Sequence, residues 1–292
     1  MAATMGRFSL KTKMIADADA INPTGVYSYV DALRVWLNPP LTAQELAWLR
    51  QQRGGKKMRV HDHRAPFEPR YQQRIMPFQP TQEVLQSLAT RTDAHLNYLE
   101  LSLDWTFDYE WDRDAAFEFI CRYLVKEYHR DQKIVFVGNN GKITRYSGPR
   151  SAPNVLVVYA DLPCRVNGLP YCVHLDWRIK GRSALRRAAI NSVRDLLDLD
   201  YRQFWRCRLK FCEVDLRALG RKYCNWERGT KRREPWMHFS PNGRYAYDVH
   251  LRAGSIIVRA RQSTQAVIDQ HRNHFDVNSC LIRHEVPHLL PR

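Results

Sequence analysis

Two segments of this chain alternate with a strict period of two. In Tyr98–Phe107, Leu99, Leu101, Leu103 and Trp105 point one way, and Glu100, Ser102 and Asp104 point the other. In Tyr171–Ile179, Val173, Leu175, Trp177 and Ile179 share one side, and His174, Asp176 and Arg178 share the opposite one. Successive side chains of a strand project to opposite faces, so both segments are predicted to be strands with one apolar and one polar face. Such strands need a partner layer over the apolar face, and helices are the simplest cover. If both apolar faces meet that layer, Glu100, Asp104, His174 and Asp176 gather on the other side. A polar face washed by solvent gives the same alternation, so the pattern alone does not separate a site from a surface.

The flanking segments extend this picture. Val26–Leu37 carries apolar residues at mixed spacing, and Pro39-Pro40 ends it. Thr42 reads as the N-cap of a short helix, Ala43–Arg50. Arg74–Phe78 reads as a short strand, and Pro80-Thr81-Gln82-Glu83 opens a helix through about Leu88. Arg113–His129 has the apolar spacing of an amphipathic helix: Ala116, Phe117, Ile120, Leu124, Tyr128. Lys133–Val137 and Lys142–Tyr146 form a hairpin about Gly138–Gly141, and Asn154–Tyr159 continues the sheet. Ser183 is placed to cap a helix over Ala184–Leu199. Further on, a hairpin about Ala253-Gly254 and a helix over Gln262–Phe275 are expected. Short gaps between strands favour an antiparallel meander, so the fold class is α+β: an antiparallel sheet core with helices packed on one face. Three regions are expected: a partly flexible N-terminal segment (1–69), a core (70–200) and a basic C-terminal part (201–292).

The charge is uneven. The 292 residues carry a formal net charge of +16, and the excess lies mostly after residue 177, where 24 Lys and Arg face 11 Asp and Glu. Such a bias points to a polyanionic partner, DNA or RNA, or to a solvated basic surface. The candidate phosphate contacts are Arg145, Arg178, Arg182, Arg186, Lys231, Arg232 and Arg233. The seven cysteines are odd in number and form no CxxC, which argues against a zinc ribbon and a disulfide framework. Free thiols in a reducing compartment are expected, although Cys207, Cys212 and Cys224 with a histidine remain an alternative zinc set. No apolar run has the length of a membrane span, and a cytoplasmic location is expected.

The chemistry centres on Thr144–Arg178. A turn, Gly148-Pro149-Arg150-Ser151, precedes the apolar run Val155-Leu156-Val157-Val158, which ends in Tyr159. A tyrosine at a strand end beside arginines and carboxylates can break a phosphodiester by nucleophilic attack. A tyrosine in a strand also serves packing, and arginines such as Arg145 and Arg150 also serve as surface charge. His61-Asp62-His63 lacks the apolar residue between the histidines that the histidine-pair motif of another nickase class requires.

In order, the parts Arg74–Leu88, Leu99–Trp105, Arg113–His129, Gly138–Gly141, Arg145–Ser151, Val155–Tyr159 and Val173–Trp177 resemble those of a known family. It is the tyrosine-type replication initiators of small rolling-circle plasmids, the Rep_trans-like group, which includes some relaxases of conjugative elements. The resemblance covers about residues 70–182. It implies that Tyr159 is the nicking nucleophile, that Arg150 lies near the scissile phosphate, and that Glu100, Asp104 and Asp176 hold Mg²⁺ or Mn²⁺. It further implies origin DNA as partner, duplex and locally single-stranded, with a helicase and a homodimer as possible associates. The chain departs from the pattern at Ala160-Asp161, where the family carries Asp or Asn and then Lys, and at His174 and Asp176, where longer or additional acids are common. A non-catalytic DNA-binding protein of repressor or partition type and an RNA-binding protein are the other readings of the charge.

Overall fold

The structure is a computed structural model that describes residues 13–52, 58–125, 134–139, 142–147, 151–214, 248–252, 255–259 and 281–292. In chain order its strands are β1 (Gly25–Leu37), β2 (Met58–Asp62), β3 (Gln73–Pro77), β4 (His95–Phe107), β5 (Leu124–Val125), β6 (Ile134–Asn139), β7 (Lys142–Ser147), β8 (Asn154–Tyr159), β9 (Tyr171–Lys180), β10 (Lys210–Val214), β11 (Asp248–Arg252), β12 (Ser255–Arg259) and β13 (Leu281–His284). The helices are α1 (Lys13–Asp19), α2 (Ala43–Gln51), α3 (Gln82–Ala89), α4 (Glu110–Tyr123), α5 (Arg182–Arg187) and α6 (Tyr201–Arg208). The chain divides into two compact units, one of Pro23–Phe117, Tyr128–Arg208 and Pro287–Arg292, the other of Met1–Asn22, Glu118–Glu127 and Leu209–Val286.

The first unit is built on an eight-stranded antiparallel sheet of order β2-β3-β1-β4-β9-β8-β7-β6. The α+β class follows. Strands β6 to β9 form the expected meander, and β4 joins it as the neighbour of β9. The mixed spacing of Val26–Leu37 becomes a long strand inside the sheet, between β3 and β4. Its apolar phase changes at Asp31: Val30 pairs with Leu101 and Ala32 with Glu100, so Asp31 is the extra residue of a bulge. A bulge leaves one residue outside the ladder and re-aims its side chain.

Leu99, Leu101, Leu103 and Trp105 of β4, with Val173, Leu175 and Ile179 of β9, are fully buried. Helix α5 packs on β4 and β9, and Trp205 of α6 donates its indole N–H to Ser28 Oγ at 2.7 Å. The indole of Trp105 donates to the Leu289 carbonyl at 3.0 Å, so both large rings are buried with their polar atoms satisfied. Each buried leucine contributes roughly 1.5–3 kcal/mol. At α2, Thr42 accepts from the Glu45 amide at 3.2 Å while Glu45 accepts from the Thr42 amide at 2.7 Å, a complete capping box.

Two helices end earlier than their periodicity suggests. The helix expected over 184–199 is α5 alone. It begins after Gly181, whose φ of 84° turns the chain out of β9, and Ser183 instead accepts a hydrogen bond from Arg187. Ala189, at φ 58°, closes the helix, and a 3-10 turn at Arg194–Leu196 follows. Helix α4 ends at Tyr123 because Leu124 pairs with Phe211 as a strand, a tertiary contact that overrides local propensity. The Gln262–Phe275 helix and the Ala253-Gly254 turn lie outside the described residues, although β11 and β12 on either side of that turn pair in register.

In the second unit β10 lies between β13 and β5. Phe211 packs on Phe119 at 5.0 Å between ring centroids, and Tyr123 donates to Asp17 at 2.6 Å.

Candidate active site and metal centre

The register of β4 and β9 assembles the polar face. Glu100 stands opposite Arg178, Ser102 opposite Asp176, and Asp104 opposite His174. Strand β8 adds Val157 opposite Asp176 and Tyr159 opposite His174. The Tyr159 and His174 rings stack at 4.7 Å with 18° between planes. This face is not washed by solvent: Glu100, Ser102, Asp104, His174 and Asp176 are all buried. The connection from β8 to β9 covers it. His174 Nε2 lies 3.0 Å from the Leu162 carbonyl, Cys164 Sγ lies 3.5 Å from Asp104 Oδ2, and Arg165 reaches both Tyr159 and Asp31.

The acids form two groups. Asp31, Glu100 and Asp176 bring carboxylate oxygens within 4.8 Å of one another, and Asp104 belongs to a second group with Cys172 and His174. Glu100 and Asp104 lie four residues apart on one strand, a separation of about 13 Å along it, so one ion cannot take both. The expected set Glu100, Asp104 and Asp176 does not form one group; the third carboxylate beside Glu100 and Asp176 is Asp31.

Asp31 is held on the bulge by Gln79, whose amide N–H donates to the Asp31 carbonyl at 2.6 Å and whose side chain donates to Asp31 Oδ1 at 3.1 Å. Gln79 adopts φ 46°, an unusual backbone for a residue with a Cβ. Arg165 forms an ion pair with Asp31 Oδ1. Glu100 accepts from Tyr98 and from Arg178 Nε, each at 2.7 Å, and Asp176 accepts from Ser102 at 2.5 Å. Burial and the neighbouring charges of Glu100 and Asp31 push the Asp176 carboxyl up to about 7.

The donor set fits a hard divalent cation. It offers only carboxylate oxygens, all within 4.8 Å of one another, and an octahedral ion with bonds of about 2.1 Å would draw them to about 3.0 Å in cis positions. Burial first, then the charges of Glu100 and Asp31, raise the Asp176 carboxyl, and Arg165 only partly opposes them.

The Tyr159 hydroxyl sits at the edge of this cradle. It accepts from Arg165 Nη2 at 2.9 Å and lies close enough to Asp176 for that carboxylate to act on its charge. Burial and the Asp176 charge raise its pKa well above that of an ordinary phenol, with Arg165 opposing them.

Comparison with known proteins adds little beyond the coordinates. No protein-family model matches the chain, and no curated protein matches it. A solved structure described as that of a rolling circle replication initiator protein from Geobacillus stearothermophilus is similar at a TM-score of 0.41 and 11% sequence identity, over 66% of this chain and 89% of that one.

The remaining expected residues are scattered. Arg150, Lys231, Arg232 and Arg233 lie outside the described residues. Arg145 is fully buried and so presents nothing to a polyanion in this conformation. Arg182 and Arg186 are exposed on α5, and Arg178 is partly exposed beside Glu100. His61 and Asp62 end the strand β2, and the His61 and His63 rings lie 6.1 Å apart, away from any carboxylate cluster of the described residues. Among the described residues no helix is long and apolar enough to cross a membrane. Sequence reasoning missed Asp31 and Arg165. The phase change within Val26–Leu37 was a readable sign of Asp31; nothing in the loop sequence marks Arg165.

Proposed function

We propose that the chain is a tyrosine-dependent DNA strand-cleaving enzyme that nicks origin DNA to start rolling-circle replication or transfer. The observation that carries this reading is the Tyr159 hydroxyl at the rim of the Asp31, Glu100 and Asp176 cradle, beside Asp176 and bonded to Arg165. The net charge of +16 supports a nucleic-acid partner, held through phosphate contacts by Arg178, Arg182, Arg186 and the basic residues beyond 201.

In this reading Asp31, Glu100 and Asp176 hold one Mg²⁺ or Mn²⁺, which when bound supplies Lewis-acid polarisation of a phosphate oxygen. Asp176, which lies beside the phenol, takes the phenolic proton on a carboxylate oxygen turned from the cation. The Tyr159 oxygen forms a bond to phosphorus, the bond to the 3′ oxygen breaks, and that oxygen leaves as a hydroxyl after taking a proton. The products are a 5′-phosphotyrosine and a 3′-hydroxyl primer. Arg165, which touches the phenolic oxygen, offsets negative charge on the attacked phosphate, the role first expected of Arg150. His174 stacks on Tyr159 and holds the ring's direction. A nicking assay on origin-derived oligonucleotides with Mg²⁺ or Mn²⁺ tests the reading. Tyr159→Phe should give no covalent adduct, and an adduct at wild-type level would remove Tyr159 from the mechanism.

One observation favours a second reading. Tyr159 is only 6% exposed, as expected of a non-catalytic DNA-binding protein in which the cluster is structural. Chelator-insensitive binding with no adduct under any metal would select it.

A further inference from the structure

We propose that Asp104, Cys164, Cys172 and His174 form a zinc site, separate from the carboxylate cradle, that pins the β8–β9 loop to the sheet. Three of these residues come from paired strands: Asp104 from β4, Cys172 and His174 from the same face of β9. One ligand atom from each lies within 4.8 Å of the others. Cys164 comes from the loop, and its thiol lies against the carboxylate of Asp104. All four are buried, and both cysteines are free thiols.

The spacing approaches a tetrahedron. With bonds of about 2.3 Å to sulfur and 2.0–2.1 Å to nitrogen and oxygen, tetrahedral zinc sets sulfur–oxygen edges near 3.5 Å, sulfur–nitrogen edges near 3.6 Å and the nitrogen–oxygen edge near 3.3 Å. Here Cys164 Sγ to Asp104 Oδ2 is 3.5 Å, Cys172 Sγ to His174 Nδ1 is 3.8 Å, and His174 Nδ1 to Asp104 Oδ1 is 2.7 Å. The last edge, short because a proton lies between its atoms, must lengthen, and Cys164, which touches the other Asp104 oxygen and stands outside the tight group of three, must close on the remaining donors. His174 Nδ1 faces a carboxylate and Nε2 faces a carbonyl, so both nitrogens act as donors. Zinc at Nδ1 takes the place of one proton and leaves Nε2–H on the Leu162 carbonyl, the outer hydrogen bond that orients a ligating histidine.

The donors also set the metal. Two thiols, an imidazole and a carboxylate suit a borderline-soft tetrahedral cation, whereas Asp31, Glu100 and Asp176 offer oxygen alone. The loop is already tightly turned at Cys164: its amide donates to the Leu169 carbonyl at 2.8 Å, and Gly168, at φ 75°, donates to the Cys164 carbonyl at 2.9 Å. Fixing Cys164 fixes its neighbour Arg165, which bridges Tyr159 and Asp31.

The test measures metal, not nicking, so it stands or falls apart from the role of Tyr159. Full-length protein purified under reducing conditions should carry one zinc per chain by elemental analysis, and cobalt(II) in its place should show sulfur-to-metal charge-transfer absorption. Cys172→Ser should lower zinc affinity by about tenfold or more, while Cys207→Ser, an exposed thiol elsewhere, should leave it unchanged. In the unaltered chain, stripping zinc should speed tryptic cleavage after Arg165 by about tenfold as the loop loosens. Absence of zinc from the wild-type protein, equal loss in Cys207→Ser, a Cys164–Cys172 disulfide in non-reduced peptide maps, or cleavage at Arg165 indifferent to zinc would each overturn the proposal.

Discussion

Replacing Asp176 by Asn removes one ionisable group from a buried cradle of three carboxylates. Asp176 is 1% exposed, and its carboxyl rises from 3.8 to about 7 through burial and repulsion by Glu100 and Asp31. A raised carboxyl pKa means that the folded state keeps its proton longer than the unfolded chain. The stabilising contribution is complete below about pH 3.8, declines as pH rises, and is lost once pH passes about 7. At 1.36 kcal/mol per pH unit, a rise of about three units sets a ceiling near 4 kcal/mol. Asn cannot ionise, and its side-chain oxygen can still accept from Ser102. In chelator, Asp176→Asn should therefore match the wild type at pH 4 and exceed it at pH 8, by about 1–4 kcal/mol in urea unfolding. Adding Mn²⁺ at pH 8 should raise the stability of the wild type and leave the variant unmoved, because a cradle of two carboxylates binds weakly. A variant that loses as much stability between pH 4 and pH 8 as the wild type would refute the crowding of charge on which the cation site rests.

Three further outcomes follow from named contacts. Arg165→Ala leaves Asp31 without its ion pair in a buried place and should cost about 3 kcal/mol in chelator, partly recovered by Mg²⁺ in a thermal melt. Thr42→Ala breaks the capping box of α2 and should cost about 1 kcal/mol in urea unfolding, with no effect on cation binding. Leu103→Ala opens a cavity on the fully buried face of β4 and should cost about 2–5 kcal/mol by the same measurement.

The alternation of β4 and β9 carried most of what could be foreseen. It placed Glu100, Ser102, Asp104, His174 and Asp176 on one face because strand geometry leaves no other choice, and the pairing of the two strands brings those faces together. Four residues of strand already separate Glu100 from Asp104 by about 13 Å, but which groups join each of them depends on how β1 and β9 align with β4, which the sequence does not record. Asp31 was missed because a bulge shifts the period of its strand, although that shift can be read in Val26–Leu37. Arg165 and Cys164 lie on a loop, where nothing periodic records which way a side chain turns. Tyr159 was visible as the end of an apolar run, but its burial under that loop was not. The end of α4 at Tyr123 reflects a strand partner, Phe211, far along the chain.

The guanidinium of Arg165 is in two places that matter at once, against the oxygen of Tyr159 and against Asp31. Tyr159 and Asp31 thus share one cover: a movement of this side chain as a whole exposes both together.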